Sequence, residues 1–272
     1  MKREGDIVMK YSAKIREDAM KLNPIDDVFF VKMVEDLGFC EELLQTILED
    51  KNIQVLDNNY QYMIKNLQGK SCVLDLLCKL GNGRYAHVEV QKADDNNHQK
   101  RVRYNESVLT ANIVDPGEKY EFVPDVISVF ISKFDVFGEG LASYHVDRII
   151  RETSKIVNNG IKEIYINSKN DDGSDIAELM KIFTNDLAYN DKKFPKISER
   201  KRLFKTTDKG VNTVCEIIER NRREAAEEAE SRMTKNMVIT MLKRKFKYED
   251  IAEMNQITID EVLEIGKQAS IL

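Results

Sequence analysis

Asp75, Glu89 and Gln91 are the residues of this chain whose types and spacing could do chemistry. They lie on two β-prone runs, Val73 to Leu80 and Arg84 to Gln91, which flank Gly81-Asn82-Gly83. A Gly-Asn-Gly turn between apolar runs signals a hairpin. With Asn82 at the centre of a three-residue loop, Asp75 falls opposite Glu89 on one sheet face, Cβ atoms roughly 4.5–5.5 Å apart. A loop of two or four residues would put the carboxylates on opposite faces. Like charges directly opposite destabilise a sheet, so something must offset them: a shared proton or a bound divalent cation. Gln91, His87 and Tyr85 project with Glu89, and Leu77 gives that face partial cover. The other face, with Ala86, Val88 and Val90 against Leu74, Leu76, Cys78 and Leu80, reads as core. The plainer alternative is a charged hairpin face that is merely solvated.

Hydrolysis of a phosphodiester is the chemistry such a pair would suit. It needs charge neutralised on the phosphate and a water activated, and a divalent metal does both. Mg²⁺ (or Mn²⁺) takes one or two carboxylates and completes its shell with water and substrate oxygens. Asp75 and Glu89 supply the carboxylates, and the Val90 carbonyl a further oxygen. Gln91 stands where a group could orient the water. Arg101 and Tyr104 are three apart on the helix that follows, so both could hold a substrate phosphate.

The elements that must position these residues follow from local pattern. Asn23-Pro24 opens a helix with Asp26 and Asp27 in its first turn. A second helix spans about 41–49, and a strand at about 60–64 leads into the hairpin. Asn96 or Asn97 caps a helix over 98–113, and Asp115-Pro116-Gly117 stops it. Val126 to Ile131 is a buried strand by length and β-branching, another follows near 163–166, and 175–183 is an amphipathic helix. Helices, a strand meander, a helix and two more strands make a mixed α/β layer. From about Thr213 the pattern is helical only. Thr258 with Glu261 forms a capping box, and the tight Asn255-Gln256-Ile257 turn allows a helix-turn-helix unit. A plain bundle burying Ile251, Ile259, Val262 and Ile265 is favoured, because Asp260, Glu261 and Glu264 would face phosphates.

Composition sets outer bounds. Of 272 residues, 33% are charged and 42% hydrophobic, a globular balance. No apolar run reaches the roughly 20 residues that span a bilayer, so no membrane partner is expected. Met1-Lys2-Arg3-Glu4-Gly5-Asp6 leads into no apolar segment, which points to the cytoplasm. Four cysteines without CxxC spacing and three scattered histidines give no zinc signature. The net charge of −5 is not that of a DNA-coating protein, but basic clusters occur at 98–103, 192–205 and 243–247.

Asp-x13-Glu-x-Gln, after an acidic helix start and before the basic helix, resembles the PD-(D/E)XK nuclease superfamily. Within it, the chain is similar to the Rpn-type recombination-promoting nuclease/putative transposase family. The residues that carry this are Asn23-Pro24-Ile25-Asp26-Asp27-Val28-Phe29-Phe30, Leu43 to Leu48, Asp75 within Val-Leu-Asp-Leu-Leu, Val88-Glu89-Val90-Gln91, Lys100 to Asn105, and Gly117-Glu118-Lys119-Tyr120 before Val126. The resemblance covers about residues 20–190. It implies an α/β fold with a restriction-endonuclease-like core, a central mixed sheet flanked by helices, and a helical C-terminal extension. The expected division is a polar lead-in over 1–22, a nuclease-like domain over 23–210 and a charged helix with a small helical unit over 211–272. The resemblance further implies metal-dependent cleavage of DNA linked to recombination or mobile elements. Asp75 and Glu89 match its metal-binding acids, with Glu41 or Glu42 as an additional helix-borne acid, and Gln91 replaces the lysine usual in the superfamily. Lys100, Arg101, Arg103 and Tyr104 are the DNA-contacting candidates.

Two other functions compete. One is a catalytically silent DNA-binding or assembly protein of the same fold; whichever reading holds, the C-terminal helices offer a route to a homo-oligomer. The other is an interaction module built on the long charged helix, with the acids merely solvated.

Overall fold

Every residue of Val126–Ser132 is buried, which requires cover on both faces of that strand. The computed structural model, which describes residues 11–66 and 69–271, shows what covers it. Along the chain run α1 (Ala13–Lys21), α2 (Asp27–Met33), α3 (Leu37–Ile47), β1 (Val55–Ile64), β2 (Cys72–Leu80), β3 (Tyr85–Gln91), α4 (His98–Asn112) and β4 (Val126–Ser132). There follow β5 (Ser143–Val146), β6 (Ile149–Ile150), β7 (Lys155–Ile156), β8 (Ile161–Asn167), α5 (Asp175–Thr184), α6 (Pro195–Thr206), α7 (Asp208–Lys243), α8 (Tyr248–Asn255) and α9 (Ile259–Gln268).

Among the described residues the central sheet has six strands in the order β1-β2-β3-β4-β8-β5. The β3/β4 and β4/β8 pairs are parallel and the others antiparallel, a mixed sheet. Helix α4 is the crossover from β3 to β4 and lies on one face. Its Val102 packs with Phe130 and Tyr165, and its Val108 and Leu109 with Leu77. On the other face Cys40 of α3 meets Cys78 of β2. There Phe30, Phe39 and Phe183, from α2, α3 and α5, form an aromatic cluster with centroids 6.3 to 6.4 Å apart.

The hairpin register is that of a three-residue loop centred on Asn82. Leu76 pairs with Val88, Leu77 with His87, Cys78 with Ala86 and Lys79 with Tyr85. The Leu80 amide donates to Arg84 O and the Gly83 amide to Leu80 O. Gly83 has φ +82°, the left-handed conformation that closes such a loop and that glycine adopts without steric cost. A second glycine is fixed by close approach: a Cβ on Gly210 would lie 2.1 Å from the Leu203 carbonyl oxygen, where α6 turns into α7.

Several local expectations need correction. The lead-in over 1–22 is not loose in its described part. Ser12 caps α1, Ala19 is buried, and Arg16 bonds Asn212 at 3.0 Å and Asp208 at 3.2 Å. Asn97 takes the N-cap place of α4 but makes no side-chain cap bond, because its backbone is left-handed at φ 64°. In the basic cluster over 192–205, α6 turns two of the lysines inward. Lys201 and Lys205 are buried, and Lys201 donates to the carbonyls of Ile182, Asn185 and Ala188 at the end of α5.

The chain divides into two compact units, Met1–Cys215 and Glu216–Leu272. The second is a helical bundle with Val238, Met241, Leu242, Ile251, Ala252 and Val262 in its core. Ile265 packs against that core, whereas Ile259, expected inside, is 42% exposed. The Thr258–Glu261 capping box forms, and Gln256 takes the left-handed conformation in the tight turn. No helix among the described residues is long and apolar enough to cross a membrane.

Candidate active site

The β2/β3 ladder stops at Leu76–Val88, one pair short of Asp75 and Glu89. Beyond it the Asp75 side chain does what a strand carbonyl would otherwise do: Oδ2 accepts the Val90 amide at 2.9 Å. The carboxylate thus bridges to β3 beside Glu89. Across β1, the residue in Asp75's row is Gln61, whose φ of 49° marks strained backbone at the same level of the sheet.

Glu89 is 1% exposed and therefore needs partners. Arg101 Nη2 donates to its Oε2 at 3.0 Å, and Asn105 Nδ2 to its Oε1 at 3.3 Å. Arg101 and Asn105 are one helical turn apart on α4, so a single helix face holds both carboxylate oxygens. The other arm of the guanidinium, Nη1, reaches Gln91 Oε1 at 2.9 Å, and Gln91 Nε2 donates to Ala93 O at 3.0 Å.

The electrostatics are unbalanced toward negative charge. Burial pushes the Glu89 carboxyl up from its ordinary range and the nearby Asp75 pushes it further, against Arg101 and Asn105. Burial also raises Asp75, opposed by the Val90 N–H, with Asp27 adding to the rise and Arg101 again opposing. Asp27, at the start of α2, is itself raised by burial and by Asp26. Three carboxylates therefore sense one another, with Arg101 as their common cation. Lys92 lies close by but pairs with Asp26 at 2.5 Å.

Behind Glu89 runs a buried polar chain. Ser128 Oγ donates to Glu106 Oε2 at 3.0 Å, so it takes its own hydrogen bond from His87 Nε2 at 2.7 Å. That assigns the His87 proton to Nε2 and leaves Nδ1, 4.0 Å from Glu89 Oε1, without a hydrogen bond. Complete burial pulls the His87 pKa down to about 4, so the ring is neutral near pH 7.

The structure brings Asp75, Glu89, Gln91, Val90 and Arg101 together and separates other candidates. Glu41 accepts the Val55 amide, and Glu42 accepts the Lys196 and Ile197 amides at the start of α6. The helix-borne acid near the pair is Asp27. The Tyr104 hydroxyl donates to the Lys70 carbonyl and accepts from Asn66, tying α4 to the β1–β2 connection, while Arg101 bonds Glu89 and Gln91. Lys100 and Arg103 are exposed on α4. Sequence reading missed Asp27 and Asn105. For Asn105 the available signal was its spacing of four from Arg101; for Asp27 it was only an acid at a helix start.

A hard divalent cation fits this donor set in part. Two carboxylates with raised pKa and a strand carbonyl are suitable oxygens, and Mg²⁺ keeps several waters in such sites. Among the described residues, however, no group of three or more His, Cys, Asp and Glu side chains is disposed to hold a metal.

Comparison with curated proteins and with solved structures gives no match. The family model described as PD-(D/E)XK nuclease family transposase matches residues 38–239, a span that contains the acid pair, α4 and the parallel strands. It supports a nuclease-like or transposase-related function, in a family whose nucleases usually use divalent metals and whose substrate is suggested to be DNA. The fold and the matched span together place this chain in the PD-(D/E)XK nuclease family transposases.

Proposed function

We propose that the protein is a divalent-metal-dependent DNA endonuclease whose site is Asp75, Glu89 and Gln91. The observation that carries this reading is the acid pair: Glu89 buried and Asp75 half-buried beside it, both pushed up by loss of solvent, with one partly exposed arginine for balance. Asp75, Glu89 and the Val90 carbonyl would hold the metal. Bound there, Mg²⁺ or Mn²⁺ would polarise the phosphate and lower the pKa of a coordinated water. Asn105 keeps Glu89 aimed from behind. Gln91 contributes a dipole where a lysine would contribute charge, so more of the neutralisation falls to Arg101. Lys100 and Arg103, exposed on α4, would contact flanking phosphates.

One observation favours the second reading, a catalytically silent DNA-binding or assembly protein: Arg101 already engages both Glu89 and Gln91. Plasmid nicking separates the two. Mg²⁺-dependent nicking by the wild type, lost in Asp75→Ala, supports the nuclease. DNA binding without nicking under any divalent cation supports the silent protein.

A further inference from the structure

The structure points to Arg101 as a built-in counter-ion, one that competes with a divalent cation for Glu89 and must leave it when the cation binds. This rests on the metal-dependent reading above.

Among the described residues Arg101 is the one cation bonded to the acid pair. Nη2 sits 3.0 Å from Glu89 Oε2, and Nη1 is 2.9 Å from Gln91 Oε1. Its charge also acts on Asp27 and Asp75. Lys92 cannot substitute, because it pairs with Asp26. The opposite oxygen of Glu89 takes Asn105, a neutral donor. A divalent cation held by Glu89 would have to share that carboxylate with the guanidinium. Two cations on one oxygen of a buried carboxylate repel strongly in so low a dielectric.

The side chains differ in freedom to move. Glu89 is 1% exposed and fixed by α4, whereas the Arg101 side chain is 40% exposed. Arginine is therefore the partner that yields, swinging its head outward on a flexible stem. A guanidinium so released keeps a planar fork suited to a phosphate. Arg101 would then hold the acids together before metal arrives and be free for substrate afterwards.

The test compares wild type, Arg101→Gln and Arg101→Lys from about pH 7.5 to 9.5 and reads the affinity at the alkaline plateau, because losing the arginine lifts the Glu89 carboxyl further and protons then compete with the metal. Thermal melts without divalent cation and calorimetric titration with Ca²⁺ give two readouts independent of cleavage. Arg101→Gln should melt lower without cation and bind Ca²⁺ roughly tenfold tighter, the equivalent of one charge-assisted hydrogen bond relieved. Arg101→Lys, which keeps the charge and loses the fork, should fall between. Should Arg101→Gln fail to fold, tighter binding by Arg101→Lys carries the test. Wild-type Ca²⁺ binding with variants that bind equally or more weakly would overturn the inference while leaving the metal site standing. No Ca²⁺ or Mg²⁺ binding by the wild type would overturn both.

Discussion

The molecule buries charge in two places and completes it differently. Lys201 is fully buried at the end of α5, and its ammonium meets three carbonyls, one for each N–H. Lys205 beside it takes Met20 O and Asp186. Nothing is left over for a ligand to satisfy, although burial still pulls Lys201 down to about 8. Asp75 and Glu89 are also held by hydrogen bonds, but their combined charge is opposed by one arginine that is itself partly in water. A buried charge whose donors are all matched by dipoles is a fastener. A pair of like charges, one buried and one half-buried, with incomplete compensation is a candidate functional site.

The sharpest test of this contrast removes the charge from each place. Glu89→Gln should cut divalent-dependent DNA cleavage roughly a thousandfold, a scale usual for losing a charge-stabilising group. Its folding stability near pH 8 should stay within about 1 kcal/mol of the wild type, because a buried carboxylate under repulsion is given up. Lys201→Met should do the reverse in the fastener. It strands three carbonyls at the end of α5 and should lower stability by about 2 kcal/mol in urea unfolding. A Lys201→Met protein more stable than wild type would break the contrast, since both regions would then be burying charge at a loss.

The pH dependence of stability sharpens it further. Asp75 and Glu89 have folded pKa values above their unfolded ones. Their contribution is fully present below about pH 4 and is lost as pH rises through the raised values. The Asp75→Asn/Glu89→Gln double variant should therefore lose much of the decline that wild type shows between pH 5 and 8, by about 1 kcal/mol. His87 has the opposite sign. Its pKa is lowered to about 4, so its contribution is present above about pH 6.5 and disappears as pH falls toward 4. Urea midpoints across pH 4 to 8 measure both limbs. An unchanged decline in the double variant would show that the folded protein does not raise the two acids above their unfolded values.

The smallest effect serves as a control in the other unit. Thr258→Ala removes the capping box of α9 and should cost about 1 kcal/mol without altering cleavage. A loss of cleavage there would mean that the C-terminal unit takes part in the reaction.

Some of this was written in local sequence. The Gly-Asn-Gly turn sets the register of the hairpin, since side chains alternate with a period of two and a turn of known length leaves no choice. β-branched content marks β4, and Thr258-x-x-Glu261 marks the start of α9. The short strands β5 to β7 carry no such signal: at two to four residues each they are too short to show alternation or an apolar run.

The sequence by itself narrowed the placing of the two acids to a single question, the length of the Gly-Asn-Gly loop, because face and row depend only on turn length and strand pleat; the structure answered it with three residues. It could not say that the strands separate one pair earlier, so that Asp75 reaches the Val90 amide with its side chain. Nor could it say that Asp27 lies close enough to act on Asp75 while Glu41 and Glu42 bond the amides of Val55, Lys196 and Ile197, or that Arg101 faces Glu89 while Lys201 turns inward. Those choices belong to the tertiary structure. They turn on which distant helix covers which carboxylate, and burial that makes a charge seek a partner exists only once the layers have closed.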